Sequence, residues 1–300
     1  MKKVIKKNKT NKIRLGAKNE LIALGLLAPS IILFLIFKYY PILSGVFVSF
    51  FEIDIVNLPG KFVGFDNYIR AFQDASFYAA IWHNIKMFIY SVLMNFWCPL
   101  LLAILVDEVR KGKTFFRMMY FIPAIAPAIA MTIIWKYFWN PDYGLANYLL
   151  NVLGFESQMW LNSKSLVYFC LHFPGFIICG GMNLVIYLAA LQDVPKEHYE
   201  AAYLDGAGVL GRVWYVTLPA IKNQIMSLFV LSLITSFNSM ENIMIMTDGC
   251  PSGSTETLLL YAYKEAVNQG DYSYAITLST IAFVFIMIVT AFTLKTPSEE

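Results

Sequence analysis

Charged side chains are scarce in this 300-residue sequence. They make up 14% of it and hydrophobic residues 58%, whereas soluble globular chains carry about 25% and about 45–50%. A soluble domain of this length has too little interior to bury so much apolar surface. The composition therefore excludes an ordinary soluble fold and predicts that lipid surrounds much of the chain.

Residues that build disulfide, metal and nucleotide sites are also few. The sequence has four cysteines, at Cys98, Cys170, Cys179 and Cys250. They form no Cys-x-x-Cys pair, and the three histidines are scattered, so we predict neither a disulfide nor a metal site. No G-x-x-x-x-G-K-[ST] phosphate loop occurs, and the stretch Gly206-Ala207-Gly208 has no preceding strand and no suitably placed lysine. We therefore expect this chain to bind no cofactor.

Long apolar stretches recur along the chain. A bilayer core needs about 20 mostly apolar helical residues, and six stretches qualify. They run from Leu21 to Tyr40 with an extension to Phe51, from Ile81 to Val106, from Met118 to Trp139, from Ser165 to Leu191, from Ile225 to Met246 and from Tyr274 to Leu294. The predicted fold class is an all-α integral membrane protein with six transmembrane helices.

Lysine and arginine are distributed asymmetrically between the loops. The tail 1–20, the loop 107–117, the loop 192–222 and the segment 295–300 carry 8, 4, 3 and 1 of the 23. Because cytoplasmic loops are enriched in these residues, we predict that both termini are cytoplasmic. The basic tail is neither a nucleic-acid-binding arm nor a cleaved signal peptide in this interpretation, since a long apolar stretch follows it at once without a cleavage site.

The predicted cytoplasmic loop from Gln192 to Lys222 has the pattern of two short helices rather than of a loop. Pro195 suits a helix start, Gly206 would end the first helix, and Pro219 precedes the next span. The alternative is an interfacial helix that floats in the headgroups. The polar face is acidic, however, and anionic lipid would repel it. Docking onto a partner protein is the favoured interpretation.

This loop also carries a family motif. Glu200-Ala201-Ala202, then Gly206, then Val216-Thr217-Leu218-Pro219 closely resembles the EAA motif of the permeases of bacterial binding-protein-dependent ABC importers. The string from Tyr199 to Ala207 resembles the carbohydrate branch, which includes the maltose-type and glycerol-phosphate-type permeases. Cys250 departs from the family pattern, which usually has a second glycine there. The stretch Met240-Glu241-Asn242-Ile243 departs from it too.

The resemblance implies a division of labour. Such a permease pairs with a second permease subunit, usually a related but different chain. Two cytoplasmic ATPase subunits would bind beneath it and hold ATP and Mg²⁺, and an external or periplasmic solute-binding protein would deliver a sugar or oligosaccharide. The chain would then be no enzyme itself and would lie in a bacterial inner membrane, in contact with lipid and not with nucleic acid.

The resemblance also implies segment and residue roles. Residues 1–20 would be the basic tail, 21–51 the first helix with its outer extension, 52–80 an external segment, 81–294 the permease core and 295–300 the cytoplasmic C-terminus. The residues that would couple the loop to the ATPase are Glu200, Ala201, Ala202, Asp205, Gly206 and Pro219.

Polar residues inside the apolar stretches are candidates for the transport path. Intramembrane polar groups are costly and usually face the protein interior. The fourth span carries Asn183 and Tyr187 one turn apart, and the fifth carries Thr235, Asn238, Glu241 and Asn242 on one predicted helix face. They would suit sugar hydroxyls. Hydrogen bonding to a partner helix is the alternative for these residues, and contact with the binding protein is a further one for Glu241.

Two other function classes compete with the importer. A secondary transporter should show repeated halves and buried ion-coupling groups, and neither is evident in the sequence. A membrane-embedded enzyme needs a catalytic constellation inside the spans. His172 is the single mid-span candidate, and we predict that it packs or forms a hydrogen bond instead.

Overall fold

The computed structural model is mainly α-helical, as the sequence predicts. It describes residues 17–53, 60–108, 115, 118–119, 122–123, 125–178 and 181–294. Residues 1–16 of the predicted tail and the predicted C-terminal segment 295–300 lie outside them. The chain divides into two compact units, one ending at Val48 and one beginning at Ser49.

The first unit is helical throughout its described part. Helix α1 (Ala17–Phe34) continues through a π-helical turn (Leu35–Tyr39) into α2 (Tyr40–Val48). Its large apolar side chains are exposed, with Phe37 at 74% and Leu43 at 68%. An apolar helix that exposes such side chains is suited to contact with lipid.

The second unit begins with a two-residue antiparallel hairpin. Strand β1 (Phe51–Glu52) pairs with β2 (Lys61–Phe62), so that Phe51 lies opposite Phe62. Helix α3 (Asp66–Gln73) follows. This hairpin is a small departure from the predicted all-α fold.

The second predicted span is longer than expected. Helix α4 (Ala75–Tyr90) runs through a π-helical turn (Ser91–Phe96) into α5 (Trp97–Glu108). The helix begins six residues before Ile81 because the Asp74 carboxylate caps it, accepting a 2.8 Å hydrogen bond from the Ser76 N–H.

The third and fourth predicted spans are shorter or bent. Of the third, helix α6 (Ala128–Phe138) is described, and α7 (Leu145–Val152) follows in the predicted external segment. The fourth span consists of α8 (Val167–Ile178) and α9 (Met182–Gln192), which are bent by 45°.

The remaining helices follow in chain order. They are α10 (Lys196–Leu204), α11 (Val209–Arg212), a π-helical turn (Val213–Thr217), α12 (Leu218–Ala220), α13 (Lys222–Phe237), α14 (Met240–Met246), α15 (Leu258–Asn268) and α16 (Tyr272–Leu294).

The prediction of one continuous fifth span from Ile225 to Met246 is wrong. Helix α13 ends at Phe237, and α14 begins at Met240 after a turn. Short hydroxyl side chains around the break bind nearby carbonyls, with Ser239 Oγ donating to Ser236 O at 2.8 Å. Such bonds compete with the helical pattern of the backbone.

Three described helices are long and apolar enough to cross a membrane, namely Leu24–Val48, Ala75–Asp107 and Tyr272–Ala291. The number rises to five if each of two bent helix pairs is one span. One is the α8–α9 pair, and the other joins Val209–Ala220 to α13 at 73°. These helices fit a multi-pass membrane protein, and the six-span count remains a prediction.

Three clusters of buried side chains hold the second unit together. One lies between α5, α9 and the start of α13, around Leu100, Leu184 and Ile221. A second joins α6, α8 and α14, and the third joins α4, α15 and α16.

Candidate coupling loop and transport path

The segment predicted to be two short helices has that form. Helix α10 begins directly after Pro195, whose φ of −59° is preset for a helix start, and Glu197 lies in its first turn. A negative charge there is favourable because the N-terminal end of a helix carries a partial positive charge. Helix α10 ends at Leu204, and Asp205 caps its C-terminus.

Gly206 ends the first helix in a left-handed conformation, with φ +82°. The Gly206 N–H donates to Tyr203 O at 3.0 Å, and the Ala207 N–H donates to Ala202 O at 2.9 Å. These two bonds form a Schellman motif, which favours glycine because a side chain strains the backbone at positive φ. The predicted stop at Gly206 therefore has a physical cause in the backbone.

The second helix starts at Val209 and folds back onto the first. The hydroxyls of Tyr199 on α10 and of Thr217, in the π-helical turn after α11, lie 3.2 Å apart and join these elements. Thr217 is buried, and Tyr199, Val216 and Leu218 pack against the core cluster formed by α5 and α9. The loop is therefore attached to the membrane helices as a folded element.

The side of the loop that faces away from this cluster is open. Glu200, Ala201, Asp205, Gly206 and Pro219 are exposed, and Ala202 is half-buried. Large apolar side chains lie beside them, at Tyr203, Leu204, Val209, Leu210, Trp214 and Tyr215, and Leu204 and Leu210 are 85% and 84% exposed. Acidic groups next to uncovered apolar side chains make this surface suitable for a protein partner.

Two of the predicted transport-path residues line one cavity. Asn238 and Glu241 border a space of about 430 Å³ between the α13–α14 break, α15 and α16. Tyr263, Tyr272 and Ser279 also line it. Polar side chains and aromatic rings around one cavity can bind a polar ligand that also has an apolar face.

Asn242 lies at a different, smaller cavity of about 180 Å³. Its Oδ1 accepts a 2.8 Å hydrogen bond from Thr132 on α6, so part of its role is to join two helices. His172 lines the same cavity, and its Nε2 donates to Met87 O at 2.8 Å. The expected packing or hydrogen-bonding role of His172 is therefore supported.

Asn183 and Tyr187 are not brought together with the other path residues. Tyr187 is fully buried in the cluster between α5 and α9, and its hydroxyl makes no hydrogen bond with the described residues. Asn183 is half-buried on α9. One predicted polar set is thus spread over two cavities and a packed core.

Sequence reasoning missed Asn95. This residue lies in the π-helical turn of the second span and lines the smaller cavity, where its Oδ1 is buried without a hydrogen-bond partner among the described residues. π-Helical turns are frequent at functional sites. The sequence could have indicated Asn95, because it is an amide side chain within an otherwise apolar stretch.

Comparison with known proteins decides the family. Residues 95–296 match the model of the binding-protein-dependent transport system inner membrane component. This chain belongs to that family. The matched range begins within the second span and includes the loop of α10 and α11, so the family assignment covers both candidate sites.

Curated members of the family resemble most of the chain. The sulfoquinovosyl glycerol transport system permease protein of Agrobacterium fabrum is 32% identical over 92% of this chain and 90% of its own length. The arabinooligosaccharides transport system permease protein of Bacillus subtilis is 32% identical over 89% and 86%.

A solved structure supports the fold. A chain in the crystal structure of a bacterial alginate ABC transporter, in complex with an alginate pentasaccharide-bound periplasmic protein, superposes with a TM-score of 0.81. It covers 92% of this chain and 93% of its own length at 23% identity. This likeness supports the fold of the chain.

Proposed function

We propose that this chain is the permease subunit of an ATP-driven importer for a sugar or oligosaccharide. The observation that carries the proposal is the folded loop of α10 and α11, which matches the EAA motif and has one side packed on the membrane helices and the other side open. A family component without its own phosphate loop needs a separate source of energy, and this loop is suited to receive it.

The loop would act as the coupling element. Two separate ATPase subunits would hold ATP and Mg²⁺ and would contact the open side of the loop, with Glu200 and Asp205 meeting basic residues and Leu204 and Leu210 entering apolar contacts. Motion of the loop would reach α5 and α9 through Tyr199, which packs on both the loop and the core. The membrane helices would then alternate between two access states.

The substrate path would pass the polar residues of the spans. Asn238 and Glu241 at the larger cavity are the leading candidates, with Asn183 and Asn242 as further ones, whereas Tyr187 packs in the core. A sugar is supported because relatives carry names that refer to sulfoquinovosyl glycerol and arabinooligosaccharides. A second permease subunit would complete the path, a solute-binding protein would deliver the sugar, and six spans would place both termini in the cytoplasm.

A charge reversal tests the coupling role. The chain, its partner permease and the ATPase are reconstituted in proteoliposomes with the binding protein, and ATP-dependent sugar uptake is measured. We expect Glu200→Lys to abolish uptake and ATPase capture, because breaking a partly buried charge pair costs about 2–5 kcal/mol. Lys196→Glu, a charge reversal at the exposed start of the same helix that does not oppose the helix dipole, is the matched control and should keep most uptake. Normal uptake and ATPase capture in Glu200→Lys would refute the coupling role.

A further inference from the structure

Helix α7 turns its apolar side away from the protein. Its residues Leu145, Tyr148, Leu149 and Val152 recur at helical spacing and are 52%, 65%, 47% and 67% exposed. We call these four side chains the outer stripe. Such a stripe normally faces the core of a soluble protein. Here Ala146 and Asn147 face inward, so the usual amphipathic arrangement is inverted.

Asn147 fixes this orientation. Its Nδ2 donates to Pro141 O at 2.8 Å and to Gln158 O at 3.0 Å. Its Oδ1 accepts from the Gln158 N–H at 2.9 Å and from Trp160 Nε1 at 2.7 Å. Both donors and both acceptor positions of the amide are used. Rotating the outer stripe inward would break four hydrogen bonds at a buried group, so the stripe stays outside.

The outer stripe continues the exposed apolar surface of α6. Ile133 and Tyr137 are exposed on α6, whereas Trp139 at its end is buried in the core. The ring of Tyr137 lies 6.2 Å from that of Tyr143, which precedes α7. Beyond α7, exposed apolar side chains follow at Leu153, Phe155 and Met159. The surface of an apolar helix therefore passes into the outer stripe through an aromatic pair.

We propose that α7 lies in the membrane interface, at the leaflet where α6 ends, with the outer stripe inserted among the lipid acyl chains. The proposal rests on the membrane location stated above. An interfacial helix buries its apolar face about 5–10 Å into the headgroup and acyl boundary. Tyr143 and Tyr148 have the amphipathic rings that prefer this depth.

The continuity of the surface favours lipid over a protein partner. The outer stripe alone is smaller than the roughly 800 Å² that a stable protein interface buries on each side, and it continues into the exposed apolar surface of α6. A transient partner would leave the outer stripe in water during part of each cycle. Lipid covers it permanently and needs no complementary shape.

The charges near the outer stripe specify the kind of lipid contact. Residues 140–163 contain two acidic side chains, Asp142 and Glu156, and no lysine or arginine. Clusters of about 4–8 lysines or arginines bind anionic headgroups, whereas Lys136 and Lys164 are the two basic residues that flank this segment. Insertion must therefore depend on apolar burial, and anionic lipid should not deepen it.

Spin labelling tests the proposal in the assembled transporter. The four native cysteines are changed to serine, retained uptake is verified, and a nitroxide is placed at Leu149→Cys or at Asn151→Cys, an exposed polar position on the same helix. Collision rates with oxygen, which enters lipid, and with a water-soluble nickel chelate are compared. We expect the oxygen-to-nickel ratio to be several-fold higher at Leu149→Cys. It should be the same in phosphatidylcholine vesicles with and without phosphatidylglycerol.

Other outcomes overturn the proposal. A label at Leu149→Cys that meets the nickel chelate more than oxygen lies in water. A label that meets neither is covered by protein, as a partner permease or the binding protein would cover it. The pair Val152→Cys and Glu156→Cys repeats the comparison in case Leu149→Cys disturbs folding. Equal oxygen-to-nickel ratios within both pairs would also contradict insertion of the outer stripe.

Discussion

The carboxylate of Asp74 accepts a 2.6 Å hydrogen bond from the phenol of Tyr274, which lies 200 residues further along the chain. The same oxygen accepts a second 2.6 Å bond from Tyr261, while the other oxygen caps α4 through the Ser76 N–H. One side chain thus joins the start of the second span to α15 and to the start of α16.

An ion pair lies beside this junction. Arg70 on α3 pairs with Asp271, and its guanidinium stacks 4.0 Å from the centre of the Tyr274 ring. Partial burial opposes ionisation of Asp74, but its hydrogen bonds outweigh this effect and lower the pKa of the carboxyl below its usual range. Burial raises the pKa of Glu265 nearby, although Arg70 opposes that shift.

Removing the Asp74 charge should destabilise the protein and change the pH dependence of its stability. A lowered folded-state pKa contributes stability that is present above the unfolded-state value of about 3.9 and is lost as the pH falls through the folded value. We expect Asp74→Asn to destabilise the purified protein by about 1–2 kcal/mol at neutral pH, since charged hydrogen bonds become neutral ones. Thermal unfolding in detergent from pH 7 down to acid checks this.

The control variant Glu265→Gln distinguishes the effect of the Asp74 charge on stability from that of a neighbouring carboxylate. Glu265 acts in the opposite sense, because a carboxyl with a raised pKa is relieved by protonation, so Glu265→Gln should not lower stability at neutral pH. The wild type and Asp74→Asn should converge at low pH. An Asp74→Asn protein that stays equally destabilised in acid would show that shape, and not charge, matters at this position.

Gly206 should be replaceable by asparagine but not by valine. A β-branched residue is strongly disfavoured at φ +82°, whereas asparagine tolerates this region. No atom of the described residues lies within 4 Å of a Cβ added at Gly206, so backbone strain rather than a clash of the Cβ within the chain opposes valine. We expect Gly206→Val to abolish uptake and Gly206→Asn to retain much of it, with normal membrane levels in both.

Gly208 is the matched control for Gly206. Its φ is −67°, and its Cβ would also meet open space, so Gly208→Ala needs no change of the backbone. Uptake by Gly208→Ala should be close to that of the wild type. If Gly206→Val transports normally, the shape of the loop does not control coupling.

Features that depend on interactions between residues close in the sequence could be predicted, whereas contacts between distant residues could not. The two-helix loop could be predicted because Pro195 and Gly206 act through their own backbone dihedrals. The three long apolar helices, Leu24–Val48, Ala75–Asp107 and Tyr272–Ala291, could be placed approximately because lipid imposes length and apolarity. The early start of the second span depends on a local cap at Asp74, which a search for apolar length alone does not detect. The other partners of Asp74, 187 and 200 residues away, could not be predicted from the sequence.

The structure separates the predicted path residues where the fifth span is not a regular helix. A continuous fifth span would place Asn238 and Asn242 on one face, but the break at Ser239 directs them to separate cavities. Tyr187 has the polar group of a path residue, yet it packs in the core, because periodicity alone cannot tell a tyrosine that faces a cavity from a buried one. The inverted α7 depends on Asn147, whose four bonds no local pattern reveals.

Asn238 should matter for transport, whereas the Tyr187 hydroxyl should not. Asn238 is exposed at the larger cavity, and the Tyr187 hydroxyl makes no hydrogen bond with the described residues. We expect Asn238→Ala to lower sugar uptake while assembly stays normal, and Tyr187→Phe to leave uptake unchanged. Unaltered uptake in Asn238→Ala would assign this asparagine to helix packing, and a large defect in Tyr187→Phe would return its hydroxyl to the path.

The charge distribution predicts where the C-terminus lies. Because 16 of the 23 lysines and arginines fall in the segments assigned to the cytoplasm, a reporter fused after Glu300 should be active inside the cell. Green fluorescent protein should fluoresce there, and alkaline phosphatase should stay inactive. The reverse result would rule out an even number of spans with a cytoplasmic N-terminus.

The contact between Gly175 and Asn95 should require glycine. A Cβ at Gly175 would lie 2.8 Å from Asn95 Nδ2 and 2.9 Å from its Oδ1, so the Asn95 side chain would have to move. Glycine lets the fourth span approach the π-helical turn of the second without displacing this amide. We expect Gly175→Ala to destabilise the protein by about 1–3 kcal/mol, the usual cost of overpacking.

A double-mutant cycle shows whether this contact is the cause. Asn95→Ala removes the amide that the new methyl group would strike, so Gly175→Ala should cost much less in that background. Gly45→Ala is the control for helix propensity, because its Cβ would meet open space and alanine favours a helix. Apparent melting temperatures of the four proteins in detergent give the coupling. If the two substitutions are simply additive, Gly175 is needed for some reason other than its approach to Asn95.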